Sequence, residues 1–248
     1  MVFSLQADWY RPMEEAFRSG TLAMSDEAVR AGQALGSAWG DYPLNWGLII
    51  VAALAFAFNI PNLYHIFPHL AKSFSRWRWN FTIEDSLQLA RTRDLIALLC
   101  VAPFCLVVGR YRLVDPDFFG LLPEDWRTLE VLGMLLAWFL VRSLIYLLLE
   151  TRVTNAGTFQ VARRAGRNFF IILTFVLLAV AGVCYCFGAS DGTVRKALYI
   201  AAGVVYMAFL FIKGEILNSV CNPLTTFLYL CALELIPAGI LIAACLCL

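Results

Sequence analysis

The sequence predicts an all-α protein: a polytopic bundle of about six transmembrane helices, preceded by an amphipathic extramembrane segment at the N-terminus. Three observations predict it. Hydrophobic residues make up 61% of the 248 residues and charged residues only 15%, where an ordinary soluble domain carries about 25% charged. Mean hydropathy is +0.73. The apolar excess is blocky, with near-uncharged runs of helix length between short charged segments, whereas a membrane β-barrel would show short alternating ones. This composition excludes a soluble enzyme. A net charge of +1 leaves no broad basic surface to neutralise phosphates, so no nucleic-acid partner is expected.

Residues 1–43 form the extramembrane segment. Arg11, Arg18 and Arg30 are set against Asp8, Glu14, Glu15, Asp26, Glu27 and Asp41, with no apolar core like that of a signal peptide. Phe17, Leu22, Met24, Val29 and Leu35 give residues 9–36 an apolar side. That side suits one or two helices lying on the membrane, with a flexible tail as the alternative; in a scaffold the acidic segment would dock an envelope protein partner.

Residues 44–248 form the bundle. A bilayer core about 30 Å thick needs about 20 apolar residues in a helix. Six segments approach this: 44–60, 95–111, 129–149, 168–189, 197–212 and 224–248. The second and fifth are short, so five spans is the main alternative. Trp46, Trp77, Trp79 and Trp126 cluster where spans meet loops, as an interfacial aromatic belt does. Asn45, Asn59 and Asn62 flank the first span and are expected to satisfy backbone at its ends. Most of the eight cysteines lie inside apolar runs, where cysteine packs as a small hydrophobe. Asn80 opens an Asn-Phe-Thr glycosylation sequon, which its expected cytoplasmic position discounts.

Six spans place both termini on one side, and loop Lys and Arg choose that side. The expected loop 61–94 carries Lys72, Arg76, Arg78, Arg91 and Arg93, and loop 150–167 carries Arg152, Arg163, Arg164 and Arg167. The intervening loop 110–128 dilutes three arginines with four acids. The basic loops should therefore face the cytoplasm, leaving both termini outside.

Two ionisable residues lie deep in the expected spans, Arg142 and Glu234. Each costs roughly 2.5–3.5 kcal/mol at a helix centre on insertion scales, and arginine cannot readily lose its proton. Arg142 lies about eight residues, or ~12 Å, from the Glu150 end of the third span. Glu234 lies about ten residues, or ~15 Å, inside the same face on the antiparallel sixth span. The matching depths predict that the two meet inside the bundle. Pro237 should free the carbonyl of Leu233 one turn earlier, and in lipid that group needs a partner. Arg142, Tyr146 or Tyr206 could supply it. On the fifth span, Tyr199, Gly203, Tyr206, Leu210 and Lys213 share one face. Packing around Gly203 with Lys213 snorkelling to the surface is one reading; a wall of the same cavity is the other.

His65 and His69, the only two histidines, form a possible secondary site with ligand-like spacing. Pro61 precedes them and Pro68 lies between them, so a capped interfacial turn is expected. No zinc motif occurs, and no metal or cofactor is expected.

The run LYLCALELIP, residues 228–237, and the preceding KGEILN from Lys213 resemble the C-terminal signature of a family of uncharacterised multi-spanning membrane proteins from Bacteroidota, a domain of unknown function. The resemblance covers the last quarter of the chain and the general hydropathy layout. It implies a bacterial inner-membrane protein and puts Glu234 and Glu215 among the motif residues. It implies no activity, cofactor or partner.

Three function classes remain. A small transporter or permease-like protein would use Arg142 and Glu234 in a midplane cavity. A membrane subunit would scaffold an envelope assembly through residues 1–43. An intramembrane enzyme would use Glu234 as acid or base on a lipid-soluble substrate. The first ranks just ahead of the second.

Overall fold

The computed structural model describes residues 43–76, 78–114, 126–150, 156–219 and 222–239. The expected N-terminal amphipathic segment, Cys221 and the chain beyond Gly239 lie outside the described residues. Among the described residues the helices are α1 (Pro43–Ser75), α2 (Trp79–Asp85), α3 (Leu87–Leu99), α4 (Val101–Arg110), α5 (Arg127–Glu150), α6 (Ala156–Cys186), α7 (Asp191–Asn218) and α8 (Pro223–Leu230). A π-helical turn, Cys231–Leu235, carries α8 onward to Gly239. No strand occurs among the described residues.

Among the described residues five helical segments are long and apolar enough to cross a membrane: Pro43–Phe74, Leu87–Arg110, Arg127–Tyr146, Gln160–Cys186 and Asp191–Asn218. The described part of the sixth, Pro223–Gly239, is a shorter apolar helix. The second span joins α3 to α4 through Cys100, three residues before Pro103. That proline cannot donate to the Leu99 carbonyl, while Phe104 N–H still donates to Cys100 at 3.1 Å and keeps the chain on course.

The helices outrun the apolar segments, and the reason is the same each time. Charged residues that read as loop are helical, and several are paired inward. α3 begins at Leu87 rather than near residue 95 and contains Arg93, which is 1% exposed. Arg93 is bonded to Glu84 of α2 and, at 2.8 Å, to Asp94. α7 spans 28 residues because Lys213 lies inside the bundle instead of ending the span.

The first span corrects the expected turn at His65 and His69. α1 runs unbroken through Pro61 and Pro68. The proline ring fixes φ at a helical value, and the cost falls on the carbonyls four residues back, those of Ala57 and Tyr64. Asn59 donates to the Ala55 carbonyl at 2.9 Å, as expected of a backbone-satisfying residue. Asn45 does something else: its side chain accepts from Thr128 Oγ1 at 2.7 Å and ties α1 to α5.

α6 is the central helix, packed against α1 to α5 and most extensively against α7. One aromatic-rich core joins Phe169, Val205, Phe209, Ile216 and Leu233. Another joins Ile66, Leu70, Ile96 and Ile171. A buried polar bridge pins α2 to α6: Asn168 donates to Asn80 Oδ1 at 2.8 Å, and Asn80 donates to the Ser73 carbonyl at 3.4 Å. The sequon asparagine is thus a buried structural group. Small-residue packing does not centre on Gly203, which is exposed with no atom within 4 Å of a hypothetical Cβ. On α7 the close approach is at Gly214, where such a Cβ would lie 3.3 Å from Leu230 of α8.

Removing one partner of a buried hydrogen bond costs about 1–3 kcal/mol. Asn80→Ala and Asn168→Ala should each destabilise the detergent-solubilised protein by that order. The double variant should lose less than the sum of the singles, because the shared bond is lost only once. Denaturant titration of the four proteins measures this coupling.

Candidate functional site

The π-turn at the end of α8 determines how the site is built. A π-turn inserts one extra residue into a helical turn and rotates the side chains that follow. Here the Ile236 N–H bonds to the Cys231 carbonyl, five residues back. Pro237 follows at once and has no N–H to donate. Glu234 sits in this turn, 2% exposed, and points into the bundle.

Three donors converge on one oxygen of its carboxylate. Arg142 of α5 donates from Nη2 to Oε1 at 2.6 Å, and Tyr146, one turn along α5, donates from its hydroxyl at 3.2 Å. Lys213 of α7 donates to the same oxygen and also to the Tyr146 hydroxyl. Lys213 is fully buried and Tyr146 nearly so. Tyr206 of α7 donates to the backbone carbonyl of Glu234 at 3.2 Å. The expected recipient was the Leu233 carbonyl; the irregular turn presents the next one along.

Of the two readings of the α7 face, Lys213 fits the cavity wall. It does not snorkel to the surface but completes a buried cluster with Glu234. Its place on the Tyr206 face of α7 carried the signal, and its position near the end of an apolar run obscured it. Two cations thus share one carboxylate. Aromatic rings temper the excess charge. The Tyr146 ring lies 5.6 Å from the Arg142 guanidinium and 5.0 Å from the Lys213 ammonium, and the Phe209 ring lies 5.7 and 5.6 Å from them. Each such contact is worth roughly 0.5–2 kcal/mol, more when desolvated.

Two hollows meet at Arg142. The larger, about 490 Å³, lies between α5 and α6. α5 contributes Phe139, Arg142, Ser143 and Tyr146, and α6 contributes Gln160, Arg163, Arg164 and Arg167. Both sets follow i, i+3, i+4, i+7 spacing, so each is a single helix face. Four arginines and no carboxylate line it among the described residues. The smaller, about 200 Å³, is largely aromatic and reaches Glu234. Phe139, Arg142 and Gly166 border both hollows. Gly166 is what lets Arg142 cross α6, since a Cβ there would lie 2.8 Å from Nη2.

Behind the larger hollow, Arg164 donates to Glu84 at 2.6 Å and Arg167 pairs with Asp94 at 3.1 Å. Arg163 donates to Ser143 at 3.0 Å, and its guanidinium lies 5.6 Å from the Tyr146 ring.

The other sequence candidates lie elsewhere. Glu215 is exposed on α7, two residues past Lys213 and so on another face, beside a groove bordered by Asn218 and Pro223. His65 is exposed and His69 half-buried on α1, with ring centroids 6.1 Å apart. Among the described residues no group of three or more His, Cys, Asp or Glu side chains could hold a metal.

Deleting one member of a buried ionic cluster costs about 3–5 kcal/mol when it strands a charge. Glu234→Ala strands two cations and should be the most damaging single change at the site. Lys213→Met leaves a neutral Arg142–Glu234 pair and should cost clearly less. Combining the two should recover part of the Glu234→Ala loss. Thermal unfolding in detergent ranks the three variants. No family model, curated protein or solved structure matches the chain.

Proposed function

We propose that this membrane-embedded protein is a small permease-like carrier of an anion. The supporting observation is the position of Arg142: its guanidinium holds Glu234 on one side and lines the arginine-rich hollow on the other. An anion entering that hollow competes with the carboxylate for the same guanidinium. Releasing Glu234 from Arg142 leaves it paired with Lys213, so the carboxylate is never stranded. The exchange of one anion for another at a fixed cation is the elementary step of a carrier site. The irregular turn before Pro237 gives the Glu234 backbone a place to flex.

The protein is assigned on this reading to a bacterial inner membrane, with both termini periplasmic and the arginine hollow on the cytoplasmic side. The C-terminal resemblance supports the membrane and the arginine-rich loops support the orientation. A static cluster that only fixes helix order is the competing reading, favoured by the near-complete burial of Glu234 and Lys213.

Proteoliposomes separate the two. The carrier reading expects protein-dependent movement of inorganic phosphate or of fluorescent phosphatidic acid across the bilayer. Arg142→Gln should abolish it. Gly166→Ala, which displaces the guanidinium, should slow it by about tenfold, the equivalent of one hydrogen bond to a charged group. Folded protein that moves neither probe would favour the static cluster.

A further inference from the structure

Among the described ion pairs the charges around the larger hollow do not balance. Arg142 and Lys213 share Glu234; Arg93 and Arg164 share Glu84; Arg93 and Arg167 share Asp94. Among the described residues five cations thus divide three carboxylates, an excess of two; Arg163, which donates to Ser143, lines the same hollow. An uncompensated charge is costly away from water. An excess of two matches the charge of a phosphate monoester, about −1.5 to −2 at neutral pH. Planar guanidinium forks also suit phosphate oxygens.

Position narrows the ligand further. The stretch of α6 from Arg167 to Cys186 is about 29 Å long, close to the ~30 Å of hydrocarbon in a bilayer. Arg163, Arg164 and Arg167 then lie at headgroup level. Directly behind Arg142 and Gly166 is the aromatic hollow of about 200 Å³, bordered by Trp138, Phe169, Phe170 and Phe209. A basic compartment at the membrane surface opening beside an apolar one is shaped for an amphiphile. Pockets of about 300–1,000 Å³ are usual for small ligands, and the larger hollow falls in that range.

Resting on the anion-site reading above, we infer that the hollow between α5 and α6 binds the head of a phosphate-monoester amphiphile. The phosphate sits among Arg142, Arg163, Arg164 and Arg167, and the first part of its apolar chain lies in the aromatic hollow. A soluble phosphate monoester has the same head chemistry and no use for the second compartment.

Native mass spectrometry of the detergent-purified chain tests this with four probes. Dioleoyl phosphatidic acid carries both features. Glycerol 3-phosphate carries the head alone, dioleoylglycerol the tail alone, and dioleoyl phosphatidylglycerol a diester of lower charge. Phosphatidic acid should bind at least about tenfold tighter than each of the others, the equivalent of one charge-assisted hydrogen bond. Arg163→Gln and Arg167→Gln should each weaken it by a similar factor without altering dioleoylglycerol binding. Equal binding of glycerol 3-phosphate would overturn the amphiphile, and equal binding of phosphatidylglycerol would overturn the monoester. Unchanged binding in both variants, or no binding at all, would overturn the site. The wild-type comparison needs no variant to fold. Binding without movement in proteoliposomes would sink the carrier and leave this site standing; movement of inorganic phosphate without selective phosphatidic acid binding would do the reverse.

Discussion

One carboxylate oxygen, Oε1 of Glu234, organises the meeting of α5, α7 and the end of α8. Arg142 from α5, Tyr146 from α5 and Lys213 from α7 all donate to it. Away from water each ionised group alone would be costly to bury. Gathered on one acceptor, the groups impose a geometry. α5, α7 and the end of α8 must converge, and α6 must present a residue without a side chain where Arg142 passes. Gly166 meets that need. The π-turn is part of the same solution, since it places Glu234 inward and its carbonyl within reach of Tyr206.

A cluster built only for packing would be expected to end neutral. This one holds two cations against one carboxylate, with aromatic faces sharing the surplus. The surplus borders a hollow lined by three more arginines. Two of these reach back to Glu84 and Asp94, which also hold the buried Arg93. The hollow therefore touches the α2–α3 corner through ion pairs. An anion in the hollow would compete with both carboxylate groups for the same guanidiniums.

Much of the architecture was legible in the apolar runs, because twenty residues of hydrocarbon-compatible helix leave few alternatives. The convergence of Arg142 and Glu234 was legible from depth alone, since antiparallel helices place equal rises at equal levels. Lys213 was harder to place. A lysine five residues before the end of its helix has two inexpensive positions, inward on a carboxylate or outward to the interface, and local sequence does not choose between them. Arg93 posed the same problem: its partner Glu84 belongs to a short helix hidden inside an apparent loop. Pro61 and Pro68 misled for another reason. Their ring restricts the backbone to a φ that α1 already uses, so the break they suggest need not occur. The arginine hollow requires α5 and α6 to be laid side by side, although its spacing is present in both helices.

The most direct test of this account is an experimental structure of the chain in a lipid nanodisc, by antibody-fragment-assisted cryo-electron microscopy. The account predicts that the side chains of Arg142 and Lys213 both end on the carboxyl of Glu234, with Arg142 also bordering a hollow that faces Arg163 and Arg167. A Lys213 side chain extended to the headgroups, or a Glu234 carboxyl turned toward acyl chains, would contradict it.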